Sequence, residues 1–207
     1  GMDPVPLVHG MTMGEYARMI NGEGWLKGGV KCDLKVIPCL GYAHSSYYEL
    51  PVKPSPNLPN MAAVFLYPAL GLFEGTVVSV GRGTDLPFQC IGYPGCTLGT
   101  YAFTPHAMPG AKDPPYKDKA CTGMDLSSYG EFYSRLAPGL NLEWLMGMYS
   151  ASTDKAHFFT SFFDRLAGGT ALRKAIIAGK SEDDIRRSWQ PGLVKFEAMR
   201  KPYLLYP

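Results

Sequence analysis

The sequence predicts a mixed α/β (α+β) fold, with a small central sheet flanked by helices and a helical C-terminal third. Three observations support this fold class. Residues 60–70 are apolar nearly all round, which is typical of a buried helix. Short segments with strand character follow at 88–91, 97–103 and 120–126. After residue 140, apolar side chains recur mostly at helical spacing.

One helix and one strand are predicted ahead of the buried helix. Thr12 and Glu15 have the spacing of a capping box, so a helix begins there and ends near Gly22. His9, just before this cap, is interpreted as a structural hydrogen-bonding residue. Residues 32–38 alternate between apolar and polar side chains, which predicts a strand.

Residues 41–60 are expected to form a long loop. They contain four prolines, three tyrosines and His44, with no sustained period. Two interpretations stay open. Long ordered loops in compact domains are usually functional, and tyrosine rings are suited to the face of a sugar. The alternative is a surface excursion stiffened by proline.

The C-terminal third is expected to be scaffold. Residues 140–149 predict an amphipathic helix, and the aromatic residues of 157–166 are interpreted as core rather than as a cofactor-binding box. Thr170 caps a short helix that Gly179 ends. A longer helix follows, with a kink or restart at Pro191.

The stretch between the buried helix and the first predicted strand of the sheet is the part of the sequence least like a packed core, because it is rich in glycine and polar residues. Residues 67–95 contain six glycines, whose backbone can approach a ligand closely or adopt positive φ. Between them lie polar side chains, including the carboxylate of Glu74 and the guanidinium of Arg82. Such composition is typical of a binding loop. The alternative is that the glycines serve turns alone and that Glu74 and Arg82 form a partly buried ion pair.

This loop matches neither of two common glycine-rich nucleotide motifs. Gly81-Arg82-Gly83 is followed by Leu86 where a dinucleotide fingerprint needs its third glycine, and the Lys-Ser/Thr pair of a phosphate loop is absent. A constrained carboxylate and guanidinium remain, which suit a polar ligand with an anionic group.

Length and composition limit the other classes. The 207 residues, 46% of them hydrophobic, are consistent with one domain. A net charge of +2 gives no electrostatic footprint for nucleic acid. No apolar run reaches the roughly 18 residues of a membrane span, and no leader is seen.

The five cysteines favour neither a metal site nor a complete set of disulfides. None has zinc-ligand spacing, so no metal and no cofactor is predicted. They are interpreted as buried apolar residues, with an oxidised Cys96–Cys121 pair as an alternative. The five are Cys32, Cys39, Cys90, Cys96 and Cys121.

The run LFEGTVVSVGRGTDLPFQCIGYPG resembles the signature of the NamZ-type exo-β-N-acetylmuramidase family. Other blocks resemble the same family in the same order, so that the resemblance covers nearly the whole chain. They are HGMTMGEYARMINGE from His9, DLKVIP from Asp33, SPNLP from Ser55, FTP from Phe103, FDRLAG from Phe163 and RKPYLLY from Arg200.

The resemblance implies a peptidoglycan hydrolase that removes terminal N-acetylmuramic acid. It also implies a Rossmann-like domain upstream of the His9 block, where this chain has eight residues. Residues 1–207 are therefore expected to be a single domain that resembles the C-terminal part of a two-domain family. In that family the active site lies between the domains and the principal glutamate is upstream, so this chain would supply one wall of the cleft.

The resemblance gives the substrate, and the residue types of the glycine-rich loop suggest how this chain could contribute. Arg82 is the candidate for the lactyl carboxylate of the sugar, and Glu74 for positioning a hydroxyl or orienting Arg82. No catalytic residue is assigned, and Glu74 is the one weak candidate in this chain. The remaining candidates are Tyr67 for the ring face, and Thr76, Ser79 and Thr84 as hydrogen-bond partners.

Partners and location also follow from the resemblance. The expected partners are peptidoglycan fragments (muropeptides) and the upstream domain, with no nucleic acid and no membrane span. Export to the periplasm or the cell exterior is expected for the full-length protein. The alternative function is a non-catalytic glycan-binding or structural module when the chain is separated from the upstream domain.

Overall fold

The computed structural model describes residues 3–130, 132 and 139–207. The chain divides into two compact units. The first consists of the residues through Tyr48 together with Arg186–Pro207, and the second is Glu49–Ile185. The expectation of a single domain over residues 1–207, with a Rossmann-like domain upstream, stays a prediction.

The first unit begins with the predicted capped helix. Helix α1 spans Met13–Gly22. The Oγ1 atom of Thr12 accepts from the Glu15 backbone N–H at 3.4 Å, and Glu15 Oε2 accepts from the Thr12 N–H at 2.7 Å. His9 Nδ1 accepts from the Met11 N–H at 3.1 Å, which confirms a structural role for this histidine. Both terminal N–H groups of the cap are thus satisfied.

The strand predicted at 32–38 is wrong. This segment has no strand assignment and is mostly exposed. The side-chain amide of Asn21 hydrogen-bonds to the backbone of Cys32 as a neighbouring strand would. Its oxygen accepts from the Cys32 N–H at 2.9 Å, and its nitrogen donates to the Cys32 carbonyl at 3.0 Å. A strand needs a neighbouring strand, and the described part of this unit contains none.

The C-terminal residues contact the loop that follows this segment, residues 41–48. Residues 41–48 are irregular, as predicted. The Tyr206 ring meets Tyr42 edge-on at 4.8 Å, and the His44 N–H donates to the Pro207 carbonyl at 3.0 Å. Contacts distant in sequence therefore order this loop.

The second unit opens with the predicted buried helix. Helix α2 spans Met61–Leu70, and the side chain of Asn60 caps it by accepting from the Ala63 N–H at 3.0 Å. Leu66 is 2% exposed. A 3₁₀ turn, Gly71–Gly75, follows directly. The glycine-rich loop thus starts from a core element.

Three short antiparallel strands form the predicted sheet and confirm the mixed α/β class. Strands β1 (Cys90–Tyr93), β2 (Tyr101–Phe103) and β3 (Cys121–Asp125) lie in the order β1-β3-β2. Gly92 pairs with Gly123 in register. A Cβ on Gly123 would collide with the Ile91 carbonyl, so close pairing of β1 and β3 at this position requires glycine.

Four further helices occur in the described part of the C-terminal third. They are α3 (Glu143–Ala151), α4 (Phe163–Leu166), α5 (Ala171–Ile177) and α6 (Glu182–Arg200). Gly179 has φ +70° where the chain leaves α5, as its predicted stop role requires. Helix α6 is one helix through the exposed Pro191, without the restart that the sequence allowed.

The aromatic segment 157–166 is core at Phe158 and Phe163, as predicted, but the prediction is wrong for Phe162, which is 46% exposed. Phe158 and Phe163 are both 0% exposed. The ring of Phe159 contacts both, with centroids 4.9 and 4.6 Å away. These rings pack in the edge-on geometry that aromatic pairs prefer.

All five cysteines are free thiols. Cys90, Cys96 and Cys121 are buried, as predicted, whereas Cys32 and Cys39 are exposed. The prediction is wrong for these two because their segment does not enter a sheet. None of the described helices is both long enough and apolar enough to cross a membrane.

Candidate functional site

Arg82 lies at the tip of a turn whose backbone is closed by hydrogen bonds. The flanking Gly81 and Gly83 have φ of +75° and +85°. The Thr84 N–H and hydroxyl both donate to the Gly81 carbonyl, at 3.1 and 2.7 Å. The His106 N–H donates to the Gly83 carbonyl at 2.7 Å. The backbone that carries Arg82 is therefore held on both sides.

Packing also requires both glycines. A Cβ on Gly81 would lie 2.5 Å from the Cys90 sulfur and from the Leu86 carbonyl oxygen. One on Gly83 would lie 2.6 Å from the His106 carbonyl oxygen. No side chain fits at either position, so the Arg82 turn is placed by the core beneath it.

The guanidinium of Arg82 faces the carboxylate of Glu74. Their Nη1 and Oε2 atoms are 3.6 Å apart, and the side chains are 37% and 30% exposed. This distance exceeds that of an N–H···O hydrogen bond. The Nε atom of Arg82 is buried and has no hydrogen-bond partner among the described residues. The predicted pair is present, but it leaves donor capacity on Arg82.

Two of the predicted hydrogen-bonding hydroxyls are used inside the loop. The Thr76 hydroxyl donates to the Phe73 carbonyl at 2.8 Å. Ser79 is 0% exposed, and its Oγ accepts from the Gly81 N–H at 3.2 Å. The Thr84 hydroxyl closes the Arg82 turn in the same way. These side chains stabilise the loop, and their direct contact with a ligand stays a prediction.

Tyr67 is on the last turn of α2 with one side of its ring packed. The ring meets Phe88 at 5.1 Å between centroids and 61° between planes, and the residue is 44% exposed. Phe88 is buried and has φ +54°, an uncommon conformation for an aromatic residue. Tyr67 thus offers a partly open aromatic surface beside the loop that contains Glu74.

The described side chains form no metal-binding group, and the buried thiols beneath this loop have raised pKa values. Over residues 3–130, 132 and 139–207, no three His, Cys, Asp or Glu side chains are grouped to hold a metal ion. Burial raises the pKa of Cys90 to about 12 and that of Cys121 to about 11. Both thiols stay protonated at neutral pH, so they are not nucleophiles.

Sequence reasoning missed a second polar surface in the same unit. Lys155, Thr160, Asp164 and Arg173 line a cleft. The segment 157–166 was interpreted only as aromatic core. Polar residues between its phenylalanines were the available signal, because they require a solvent-facing side.

Comparison with known proteins identifies the family. Residues 65–206 match the family described as "Exo-beta-N-acetylmuramidase NamZ, C-terminal", and residues 1–62 match its N-terminal counterpart. The C-terminal match includes the Arg82 turn and most of the chain. The fold and this match therefore define a member of a peptidoglycan hydrolase family. The chain is a member of the exo-β-N-acetylmuramidase NamZ family.

The relatives show how much of the family this chain represents. It is 32% identical over 229 residues to the "Peptidoglycan beta-N-acetylmuramidase NamZ" of Bacillus subtilis (strain 168), an alignment that covers 100% of the chain and 52% of that protein. The chain therefore spans about half the length of this curated relative.

Two crystal structures of DUF1343 family proteins from Bacteroides fragilis NCTC 9343 have the same fold. One is 50% identical with a TM-score of 0.92, over 99% of this chain and 57% of that one. The other is 21% identical with a TM-score of 0.69, over 98% and 58%, and this likeness concerns the fold alone.

Proposed function

We propose that this chain is part of a peptidoglycan-degrading glycoside hydrolase, an exo-β-N-acetylmuramidase. In this proposal it contributes one wall of the cleft that holds a terminal N-acetylmuramic acid. Family membership and the similarity to the Bacillus subtilis protein support the reaction class. The observation that carries the role of this chain is the Arg82 guanidinium, fixed by its backbone yet loosely paired.

The chemistry of the sugar matches that guanidinium. N-acetylmuramic acid carries a lactyl ether that ends in a carboxylate, which distinguishes it from N-acetylglucosamine. Arginine binds carboxylates through two parallel N–H···O bonds. Arg82 lies 3.6 Å from Glu74 and is not hydrogen-bonded to it. A substrate carboxylate can therefore bind Arg82 without breaking a hydrogen bond to Glu74.

The other candidate residues have two kinds of role in this proposal. Tyr67 packs against the face of the sugar ring, and Glu74 orients Arg82 or accepts from a sugar hydroxyl. Thr76, Ser79 and Thr84 act mainly by holding the loop, since each hydroxyl makes a hydrogen bond to the protein backbone. The loop is then a preorganised surface.

Cleavage itself requires more than this loop. Most glycosidases use two carboxylates, roughly 5–9.5 Å apart, across the scissile bond. Glu74 is the only carboxylate of this loop that we place beside Arg82. We therefore assign the principal acid to the other half of the family's cleft, and we place the full-length enzyme outside the cytoplasm, where peptidoglycan is found.

The direct test is hydrolysis of a chromogenic N-acetylmuramic acid glycoside by the full-length protein and its Arg82→Ala variant. Loss of a charge-assisted contact of about 1.5–3 kcal/mol should lower kcat/KM roughly tenfold or more. Arg165→Ala is the matched control, because Arg165 is exposed on α4. Equal kcat/KM in wild type and Arg82→Ala would remove the carboxylate assignment.

The 207-residue chain alone decides between an enzyme and a binding module. It should bind N-acetylmuramic acid without turning over the glycoside, because the principal acid is assigned elsewhere. Turnover by this chain would instead make Glu74 or another of its carboxylates catalytic. Calorimetry and the chromogenic assay on the same sample separate these outcomes.

A further inference from the structure

A second cleft in the Glu49–Ile185 unit has the chemistry of an anion site with an apolar side. Its volume is about 240 Å³, somewhat below that of typical small-molecule pockets, so it suits one sugar-sized group. Its lining includes Lys155, Phe159, Thr160, Asp164, Arg173 and Ile177.

Two of its three charged side chains neutralise each other. Arg173 donates to both carboxylate oxygens of Asp164, with Nε–Oδ1 at 2.8 Å and Nη2–Oδ2 at 2.7 Å. The hydrogen bonds from Arg173 lower the pKa of Asp164, so this carboxylate stays ionised and committed to the arginine. Their charges offset each other, although Nη1 of Arg173 is not used in this pair.

Lys155 is the remaining cation. It is exposed, and its Nζ lies 5.7 Å from the centroid of the Tyr149 ring. Among the described residues, no carboxylate lies within ion-pair distance of it. The neighbouring Asp154 is paired with His157 at 2.8 Å. The three charges of the cleft therefore sum to +1, at Lys155.

Two further lining residues, Phe159 and Ile177, are apolar. The ring of Phe159 is half-buried and stacks on Tyr149 at 5.4 Å with 28° between planes. Ile177 is 51% exposed. An aromatic face next to a cation and the Thr160 side chain is a suitable surface for a pyranose ring that carries a carboxylate.

The backbone connects this cleft directly to the Arg82 loop. Thr76 bridges to Phe159, and the Thr160 N–H donates to the Gly75 carbonyl at 2.9 Å. Gly75 directly follows Glu74 and Thr160 lines the cleft, so the cleft adjoins the backbone segment that carries Glu74.

We infer that the cleft is a subsite for the next muramic acid of a glycan strand, with Lys155 binding its lactyl carboxylate. The inference rests on the proposed function. In a strand of alternating N-acetylglucosamine and N-acetylmuramic acid, the acidic group recurs at every second sugar. The two cationic positions, Arg82 and Lys155, then contact successive acidic groups. The cleft gives the enzyme a preference for longer, peptide-free glycans.

The test compares KM for a peptide-free tetrasaccharide, two repeats of N-acetylmuramic acid and N-acetylglucosamine, with KM for the single disaccharide. Full-length wild type should have the lower KM for the tetrasaccharide. Lys155→Ala should raise that KM about three- to tenfold and leave the disaccharide unchanged, because an exposed charge contact is partly screened. Salt should reduce the wild-type preference.

Two variants control for indirect effects. Lys155→Arg keeps the charge and should retain the preference, as should Lys180→Ala, which removes an exposed lysine outside the cleft lining. An unchanged tetrasaccharide preference in Lys155→Ala would overturn the inference. So would a Lys155-dependent gain for a peptide-bearing disaccharide but not for the tetrasaccharide, since the carboxylate would then belong to the peptide. If wild type hydrolyses neither glycan, the proposed function fails as well.

Discussion

The Nη1 atom of Arg82 lies 3.6 Å from Oε2 of Glu74, so the two charges attract each other without sharing a hydrogen bond. In the same unit, Arg173 donates two hydrogen bonds to Asp164, at 2.8 and 2.7 Å. Both side chains of the first pair are about one-third exposed, and such a pair contributes about 0–1 kcal/mol to stability. The first pair is suited to exchanging partners, and the second is structural.

Replacement of Glu74 by glutamine should change substrate binding and leave stability unchanged. The glutamine amide keeps the size of the side chain but loses the charge that holds the guanidinium. In the full-length enzyme we expect KM to rise about threefold to tenfold while kcat stays within about threefold. Steady-state kinetics on the chromogenic glycoside, with urea unfolding in parallel, measures both quantities.

Asp85→Asn is the matched control for this variant, because Asp85 is an exposed acid of the same loop. It should leave KM and kcat unchanged. If Glu74→Gln instead lowered kcat by about 10²-fold or more, Glu74 would be a proton-transfer group rather than an orienting one.

Gly81→Ala should destabilise the second unit more than Gly95→Ala. Both glycines have positive φ, +75° and +78°, which costs alanine about 1–2 kcal/mol. Only at Gly81 would the Cβ also meet protein atoms, including the Cys90 sulfur at 2.5 Å, whereas nothing lies within 4 Å of it at Gly95. Overpacking adds about 1–3 kcal/mol. Urea unfolding gives the difference, and equal losses would mean that the loop relaxes around the added methyl group.

The buried carboxylate of Glu15 should make the first unit sensitive to acid. Burial alone raises its pKa, but hydrogen bonds from the Leu205 and Thr12 backbone N–H groups and from His44 outweigh burial and place the pKa below the usual value. The stabilisation is therefore fully present above the unfolded pKa of about 4.3 and is lost as pH falls through the folded pKa.

The Glu15→Gln variant tests whether this carboxylate stabilises the first unit at neutral pH and loses that effect in acid. At pH 7 we expect it to cost about 1–3 kcal/mol, because the amide cannot accept from all three donors. The difference from wild type should shrink below about pH 4, where wild type loses its own carboxylate. Urea unfolding between pH 7 and pH 3 measures it. Asp33→Asn, at an exposed acid, should match wild type throughout, and a constant Glu15→Gln deficit would contradict the assignment.

Thiol labelling should separate the cysteines into two classes. Cys32 and Cys39 are exposed and should react rapidly with a maleimide at pH 7. Cys90, Cys96 and Cys121 are buried and should react only on unfolding. Mass spectrometry of the labelled peptides counts both classes. Fast labelling of Cys90 would mean that the floor of the Arg82 turn opens in solution.

The elements that were predicted correctly depend on neighbours in sequence. The capping box of Thr12 and Glu15 joins residues that are three positions apart. The glycines around Arg82 indicated positive φ, and the structure has it at both. Short-range features such as these can be predicted from sequence, because the groups that hydrogen-bond to each other are close together in the chain.

The strand predicted at 32–38 shows where local pattern is insufficient. Its alternation is typical of a strand, but pairing depends on a partner that sequence spacing does not reveal. In the same way, the sequence did not show that Ser79 is buried and that its hydroxyl accepts from the Gly81 N–H. Which side of a loop faces solvent depends on packing from elsewhere in the chain.

The amino-acid sequence alone determined the family resemblance, the fold class and the glycine turn, and it made Arg82 the candidate anion-binding residue, since each depends on residue type and short spacing. Only the tertiary structure decided the β1-β3-β2 order, the loose contact between Arg82 and Glu74, and the cleft at Lys155. The strand order joins segments that are distant in sequence, and the other two features depend on how nearby segments pack. Their geometry results from the packing of the whole unit, because a distance of 3.6 Å rather than 2.7 Å depends on every backbone segment beneath the two side chains.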